Sequence, residues 1–147
     1  MWKLLMGILA LLMITLNVQA DSDAGPTVTV YRSPNCGCCG QWIAHLRQNG
    51  FKAVEITDRN MAEIKRRHGV PSRLRSCHTA LVEGYVIEGH VPAADIRRLL
   101  REKPKVNGLA VPGMPVGAPG MEMGTRKDDY VVWSFDEGGS IDTFATH

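Results

Sequence analysis

Apolar positions along this chain fall first in one solid block and then in short periodic runs. Leu4 to Leu16 is almost uninterruptedly apolar, with a single cation, Lys3, before it and Val18-Gln19-Ala20 after it. An apolar block behind a lone positive charge, ending in a small-x-small triplet, predicts a secretory signal over residues 1–20 with cleavage near Ala20. The block is short of the roughly 20 apolar residues that a membrane span requires. No later stretch is longer or more apolar, so the expected product is an exported, soluble chain over residues 21–147, one domain with a modest core.

Beyond the signal the periods alternate. Thr27-Val28-Thr29-Val30-Tyr31 is β-branched and aromatic and predicts a strand, broken by Ser33-Pro34-Asn35. From Gly40 onward Trp42, Ile43 and Leu46 recur at helical spacing with Cys39, and Asn49-Gly50 closes that helix. Phe51 to Ile56 predicts a second strand. Asp58 or Asn60 then caps a short helix, Met61 to His68, ended by Gly69 and Pro71. His78 to Glu83 and Tyr85 to Glu88 predict a hairpin around Gly84, and Val91-Pro92 leads into a helix from Ala93 to Glu102. The order β-α-β-α-β-β-α, with a C-x-x-C at the first strand-to-helix junction, predicts a thioredoxin-like α/β core.

After Pro104 the pattern dissolves. GLAVPGMPVGAPGMEMG, residues 108–124, is a Met/Gly/Pro-rich loop that on composition forms neither helix nor central strand. Tyr130 to Phe135 alternates as a strand, residues 136–139 turn, and Ser140 to Phe144 returns. The expectation is a C-terminal β-hairpin appended to the core.

Charge changes this picture little. A formal net charge of +2 is too balanced to mark nucleic acid or an anionic membrane as partner. Runs such as Lys65-Arg66-Arg67 and Arg97-Arg98 read as solvated helix faces.

Cysteine changes it a great deal. YRSPNCGCCGQW places Cys36, Cys38 and Cys39 at one helix mouth, and Cys77 is the only other cysteine. Two structural disulfides would spread their cysteines along the chain. Neighbouring Cys38 and Cys39, with Cα atoms about 3.8 Å apart, sit closer than the roughly 4.4 Å lower bound for an unstrained bridge. A 36–39 bridge with a 38–77 partner would crowd two bonds into one turn. Gathered thiols therefore predict a site.

A helix N-terminus favours thiolate, which both attacks disulfides and binds metal. A dithiol oxidoreductase using Cys36 and Cys39 needs one nucleophile and one resolving thiol, and Cys38 is then superfluous. Three or four thiolates facing one mouth instead make a soft basin suited to Cu(I), bridged between several ions more readily than closed around one tetrahedral zinc. Cys77 enters the third strand beside that mouth, as a further ligand or as a small buried hydrophobe. His78 is a ligand, a donor behind the ligands, or a surface histidine. Met114, Met121 and Met123 lie in a loop rather than on a helical stripe, so one or two could bring thioether to copper, the alternative being core filling. His45, His68, His90 and the terminal His147 are expected to face solvent. No acid/base pair, phosphate loop or nucleophile elbow is evident.

Taken together, Tyr31-x-Ser33-Pro34-x-Cys36-Gly37-Cys38-Cys39-x-x-Trp42, Cys77-His78-Thr79, Glu88-Gly89-His90-Val91-Pro92, Gly108 to Pro115 and Pro119-Gly120-Met121-Glu122 resemble the CopG-type copper-resistance proteins. The resemblance spans essentially the whole chain after the signal. It implies a periplasmic, thioredoxin-like protein that holds copper as a polynuclear thiolate cluster through Cys36, Cys38, Cys39 and Cys77, in the service of copper tolerance. It leaves open whether copper or thiols are turned over. Three functions follow as expectations: sequestration of Cu(I), or its turnover by redox cycling; thiol–disulfide exchange through Cys36 and Cys39; or copper delivery to an unidentified periplasmic copper-handling protein.

Overall fold

A computed structural model describes residues 25–147. The expected signal and its cleavage point lie outside the described residues. The elements are β1 (Thr27–Arg32), α1 (Gly37–Gln48), β2 (Lys52–Thr57), α2 (Met61–Arg67), a 3-10 turn (Ser72–Leu74), β3 (His78–Val82), β4 (Tyr85–Glu88), α3 (Ala93–Glu102), β5 (Gly108–Ala110), β6 (Val131–Phe135) and β7 (Ile141–Thr146). The expected β-α-β-α-β-β-α order is present as β1 to α3. No helix among the described residues is long and apolar enough to cross a membrane.

All strands join one sheet in the order β2-β1-β3-β4-β5-β6-β7. β1 runs parallel to β2 and antiparallel to β3, β4 runs parallel to β5, and the remaining pairs are antiparallel. The period of two in each strand sorts residues between the sheet's faces. Val28, Val30, Ile87 and Leu109 face α1 and α3 and meet Trp42, Leu46, Ile96 and Leu99 in the larger apolar cluster. Val86 and Ala110, one position out of phase, join Val70, Leu74 and Phe135 in a smaller cluster. Each Leu or Ile so buried contributes about 2 kcal/mol. The β3–β4 hairpin turns through Glu83 and Gly84, both left-handed at φ 46° and 86°, which matches a two-residue turn of the primed kind.

Two expectations about the segment after α3 are corrected. Residues Gly108–Ala110 form a central strand, inserted between β4 and β6. The prolines that bar strand formation begin only at Pro112, and Gly108 suits the strand because a Cβ there would lie 1.9 Å from the carbonyl oxygen of Val86. The C-terminal hairpin β6–β7 exists as expected, but β5 splices it into the same sheet as the core.

Lys65 corrects the solvated reading of its charge run. Its ammonium is buried and pairs with the fully buried carboxylate of Glu88 at 2.6 Å, whereas Arg66 and Arg67 are exposed. Lys65 follows the inward-packed Ile64 on α2, only about 100° round the helix, and its ammonium finds Thr79 and Glu88 on the sheet.

Candidate metal site

The site begins where β1 ends. Ser33 to Cys36 form a turn in which the Cys36 N–H donates to the Ser33 carbonyl at 3.2 Å. The Arg32 guanidinium, held by Glu55, donates to the carbonyls of Ser33 and Cys36 at 3.2 Å each. This fixes Cys36 as the residue that opens α1, with no side chain capping the helix. The helix starts three residues earlier than its apolar periodicity indicates, so Cys38 and Cys39 lie in its first turn, among N–H groups without intrahelical partners. Trp42, one turn on, donates its indole N–H to the Val91 carbonyl at 2.8 Å and lies 4.3 Å, ring to ring, from His78.

The four cysteine sulfurs all lie within 4.8 Å of one another. They are not four free thiols. Cys36 and Cys39 form a disulfide across one helical turn, with Cα atoms 5.5 Å apart, while Cys38 and Cys77 are free. One bridge is present rather than two, and in this state two free thiols stand where four thiolates are expected. Spacing of i and i+3 at a helix start brings the Cα atoms into bridging range by itself. Cys38 Sγ remains 3.6 Å from Cys36 Sγ and 3.9 Å from Met114 Sδ.

Cys77 sits opposite, at the start of β3. His78 Nδ1 and His90 Nε2 each lie 3.2 Å from its sulfur, so Cys77, His78 and His90 form a second group of potential ligands sharing that sulfur. His90 is fully buried, which corrects the solvent-facing expectation. Its Nδ1 lies 2.7 Å from the Pro119 carbonyl, which can only accept. The proton therefore resides on Nδ1, and the Nε2 lone pair is left facing Cys77, the arrangement usual for a metal-binding imidazole. Burial lowers the pKa of His90, with the Pro119 carbonyl and Glu122 opposing. His78 falls well below 6.5, first through burial and then through His90 and Lys65. The Cys77 thiol is pushed up to about 11 by burial and then by Cys38, so without a cation it keeps its proton, with the His90 lone pair as acceptor.

Of the three loop methionines, Met114 is the one whose sulfur reaches a cluster cysteine; Met121 is half-buried and Met123 is 64% exposed. The loop is nonetheless tied across the site. Ser76 Oγ donates to the Gly113 carbonyl at 2.5 Å, Pro119 accepts from His90, and Gly120 packs against the Trp42 backbone, where a Cβ would lie 2.7 Å from the amide nitrogen.

Of the remaining histidines, His147 is exposed as expected, while His45 and His68 are half-buried. His45 Nε2 accepts the Ala93 N–H that begins α3, at 3.1 Å. His147 pairs with Asp95 at 2.7 Å and stacks on Tyr130. His68 is half-buried beside Tyr31. A cleft of about 910 Å³ lined by Thr29, His68, Leu81 and Glu137, among others, includes none of the cluster residues.

The donors brought together are soft sulfurs with two imidazoles at their edge. Such a set fits copper better than hard cations. His78 presents Nδ1 to Cys77, and its opposite nitrogen, Nε2, is buried without a hydrogen-bond partner.

Residues 74–121 match a family described as protein of unknown function, DUF411. No curated protein matches. Two solved structures do. One, titled copper resistance protein CopG, form 2, shares 47% identity over 84% of this chain and 98% of its own, with a TM-score of 0.81. The other, form 1 under the same title, shares 49% identity over 82% and 96%, with a TM-score of 0.79. Fold and site together define a mixed α/β protein built around a cysteine cluster able to hold a metal ion. The chain belongs to the CopG copper-resistance family.

Proposed function

We propose that this chain is a periplasmic copper-binding protein that holds Cu(I) as a polynuclear thiolate cluster, serving copper resistance. Residues 1–20 act as its export signal, and residues 21–147 work as one domain. The observation that carries the reading is the convergence of Cys36, Cys38, Cys39 and Cys77 within 4.8 Å of one another. Full use of that basin requires two electrons and two protons from an external dithiol, which leaves as a disulfide, to open the Cys36–Cys39 bond; each thiol then surrenders its proton as Cu(I) binds. Sulfur shared between ions lets adjacent Cys38 and Cys39 serve together. Met114 supplies a thioether at the exposed edge, and His78 and His90 supply nitrogen beside Cys77. Nitrogen donors tolerate Cu(II) as well as Cu(I), which supports redox turnover of copper at this site. Periplasmic copper-handling proteins are its natural donors and acceptors, and delivery to one of them is a role the same cluster supports.

The test is mass spectrometry of the reduced protein with added Cu(I). Several copper ions retained after washing, and lost when all four cysteines are changed to Ser, is the expected result. No retained copper, or retention indifferent to those changes, contradicts the reading.

A thiol–disulfide oxidoreductase is the second reading, favoured by the Cys36–Cys39 bond at a helix N-terminus. There the bond takes two electrons and two protons from a dithiol, which leaves as a disulfide. Turnover that survives Cys38→Ser and disappears with Cys36→Ser would favour it over copper binding.

A further inference from the structure

Beneath Cys77 lies a buried polar group that copper binding does not use directly. Glu88 is wholly buried at the end of β4, and Lys65 reaches it from α2. Burying an ion pair seldom stabilises a fold more than well-packed apolar residues of the same volume. The hydrogen bonds of this pair show what it holds. Glu88 Oε1 accepts the Ser76 N–H at 2.6 Å, and Glu88 Oε2 accepts the Thr79 hydroxyl at 2.7 Å. The Lys65 ammonium donates to Glu88 Oε1 at 2.6 Å and to Thr79 Oγ1 at 3.0 Å. One carboxylate thus bonds the residue just before Cys77-His78 and the residue just after it. Neither Glu88 nor Lys65 touches a cluster sulfur.

We propose that Glu88, locked by Lys65, is the positioning residue of the site: its two oxygens clamp Ser76 and Thr79 so that Cys77 faces the α1 cysteines, with His78 at its sulfur, before any metal arrives. The proposal rests on the copper-binding reading for its cargo, though the clamp itself can be tested without copper. A preset ligand spends no binding energy on being ordered, and partners behind a ligand typically alter metal affinity 10- to 100-fold. The clamp also reaches the loop above, because the same Ser76 donates its hydroxyl to the Gly113 carbonyl next to Met114.

Two paired variants separate positioning from mere stability. Lys65→Met with Glu88→Gln removes both charges but keeps an oxygen for the Ser76 N–H and an amide N–H for Thr79. Lys65→Met with Glu88→Leu removes the clamp and leaves an apolar filling. The Gln pair is expected to bind Cu(I) within about threefold of the parent, and the Leu pair 10- to 100-fold more weakly at an unchanged or higher Tm. Thr79→Val, which leaves the ion pair in place, is expected to weaken binding severalfold and decides the matter if the Leu pair does not fold. Alkylation of Cys77, followed in a Cys38→Ser background with the Cys36–Cys39 bond intact, should quicken at least threefold when the Leu pair or Thr79→Val is added. That measurement needs no copper, so it reads the clamp even if the copper reading fails. Unchanged alkylation overturns the proposal, as do unchanged Cu(I) affinity in the clamp-breaking variants and equal losses in the Gln and Leu pairs.

Discussion

His90 Nε2 lies 3.2 Å from Cys77 Sγ while the opposite ring nitrogen of His90 donates to the Pro119 carbonyl. One imidazole therefore links the cysteine cluster to the Met-rich loop, and its tautomer is set by that loop. His90→Gln retains a donor for Pro119 but no lone pair suited to a soft ion. Competition against a chromophoric Cu(I) chelator should show a loss of about 10-fold, within the range found when partners of a metal site are removed. Equal affinity in the variant would remove His90 from the ligand set.

The loop reaches the site because glycine permits it. Gly120 has φ 83°, and a Cβ there would lie 2.7 Å from the Trp42 amide nitrogen. Gly120→Ala should lift this part of the loop and cost about 1–3 kcal/mol by overpacking. Urea unfolding measures the cost. A faster alkylation of Cys38 should accompany it, as the Met114 side moves away.

Trp42 fixes the far wall. Its indole N–H donates to the Val91 carbonyl at 2.8 Å, and both residues are fully buried. Trp42→Phe leaves that carbonyl unpaired and should cost about 1–3 kcal/mol, read from the shift in urea midpoint at constant slope.

Protonation should destabilise the metal-free protein in mild acid. His45, His78 and His90 all have pKa values lowered below 6.5, with burial the largest cause in each. Below pH 6.5 the unfolded chain takes up protons that the folded chain refuses, so stability falls as pH drops through that window. Above 6.5 these groups contribute no further change. Each histidine held neutral adds at most about 1.4 kcal/mol per pH unit to the slope. Denaturant titrations at pH 7.5, 6.5, 5.5 and 5.0 should show a progressive decline, shallower in His78→Asn. A flat profile would mean that these rings charge without penalty.

Much of this is legible in the sequence. The face of Trp42, Ile43 and Leu46 marked α1, the turn at Gly84 marked the hairpin, and C-x-C-C with Cys77 marked the site. What escaped depends on contacts distant in sequence. His90 sits in a turn-like Gly-His-Val-Pro stretch, and its burial depends on Pro119, 29 residues away. Its place in a family motif was the one available signal. Lys65 stands in a run of three cations, and only the carboxylate of Glu88, 23 residues on, distinguishes it from its neighbours. β5 hid inside a glycine- and proline-rich composition because Gly108 answers to the Val86 carbonyl on the adjacent strand. The sequence does not choose between a bonded and a ligating Cys36–Cys39 pair, because cysteine density at one helix start suits ligation and oxidation alike.

The sharpest test is X-ray absorption at the copper edge of the reduced, Cu(I)-loaded protein. Sulfur dominating the first shell, with a copper–copper distance in the outer shell that disappears in Cys38→Ser, is the result predicted for ions bridged by shared thiolates. A first shell of nitrogen and oxygen alone, or isolated ions with no copper neighbour, would contradict it.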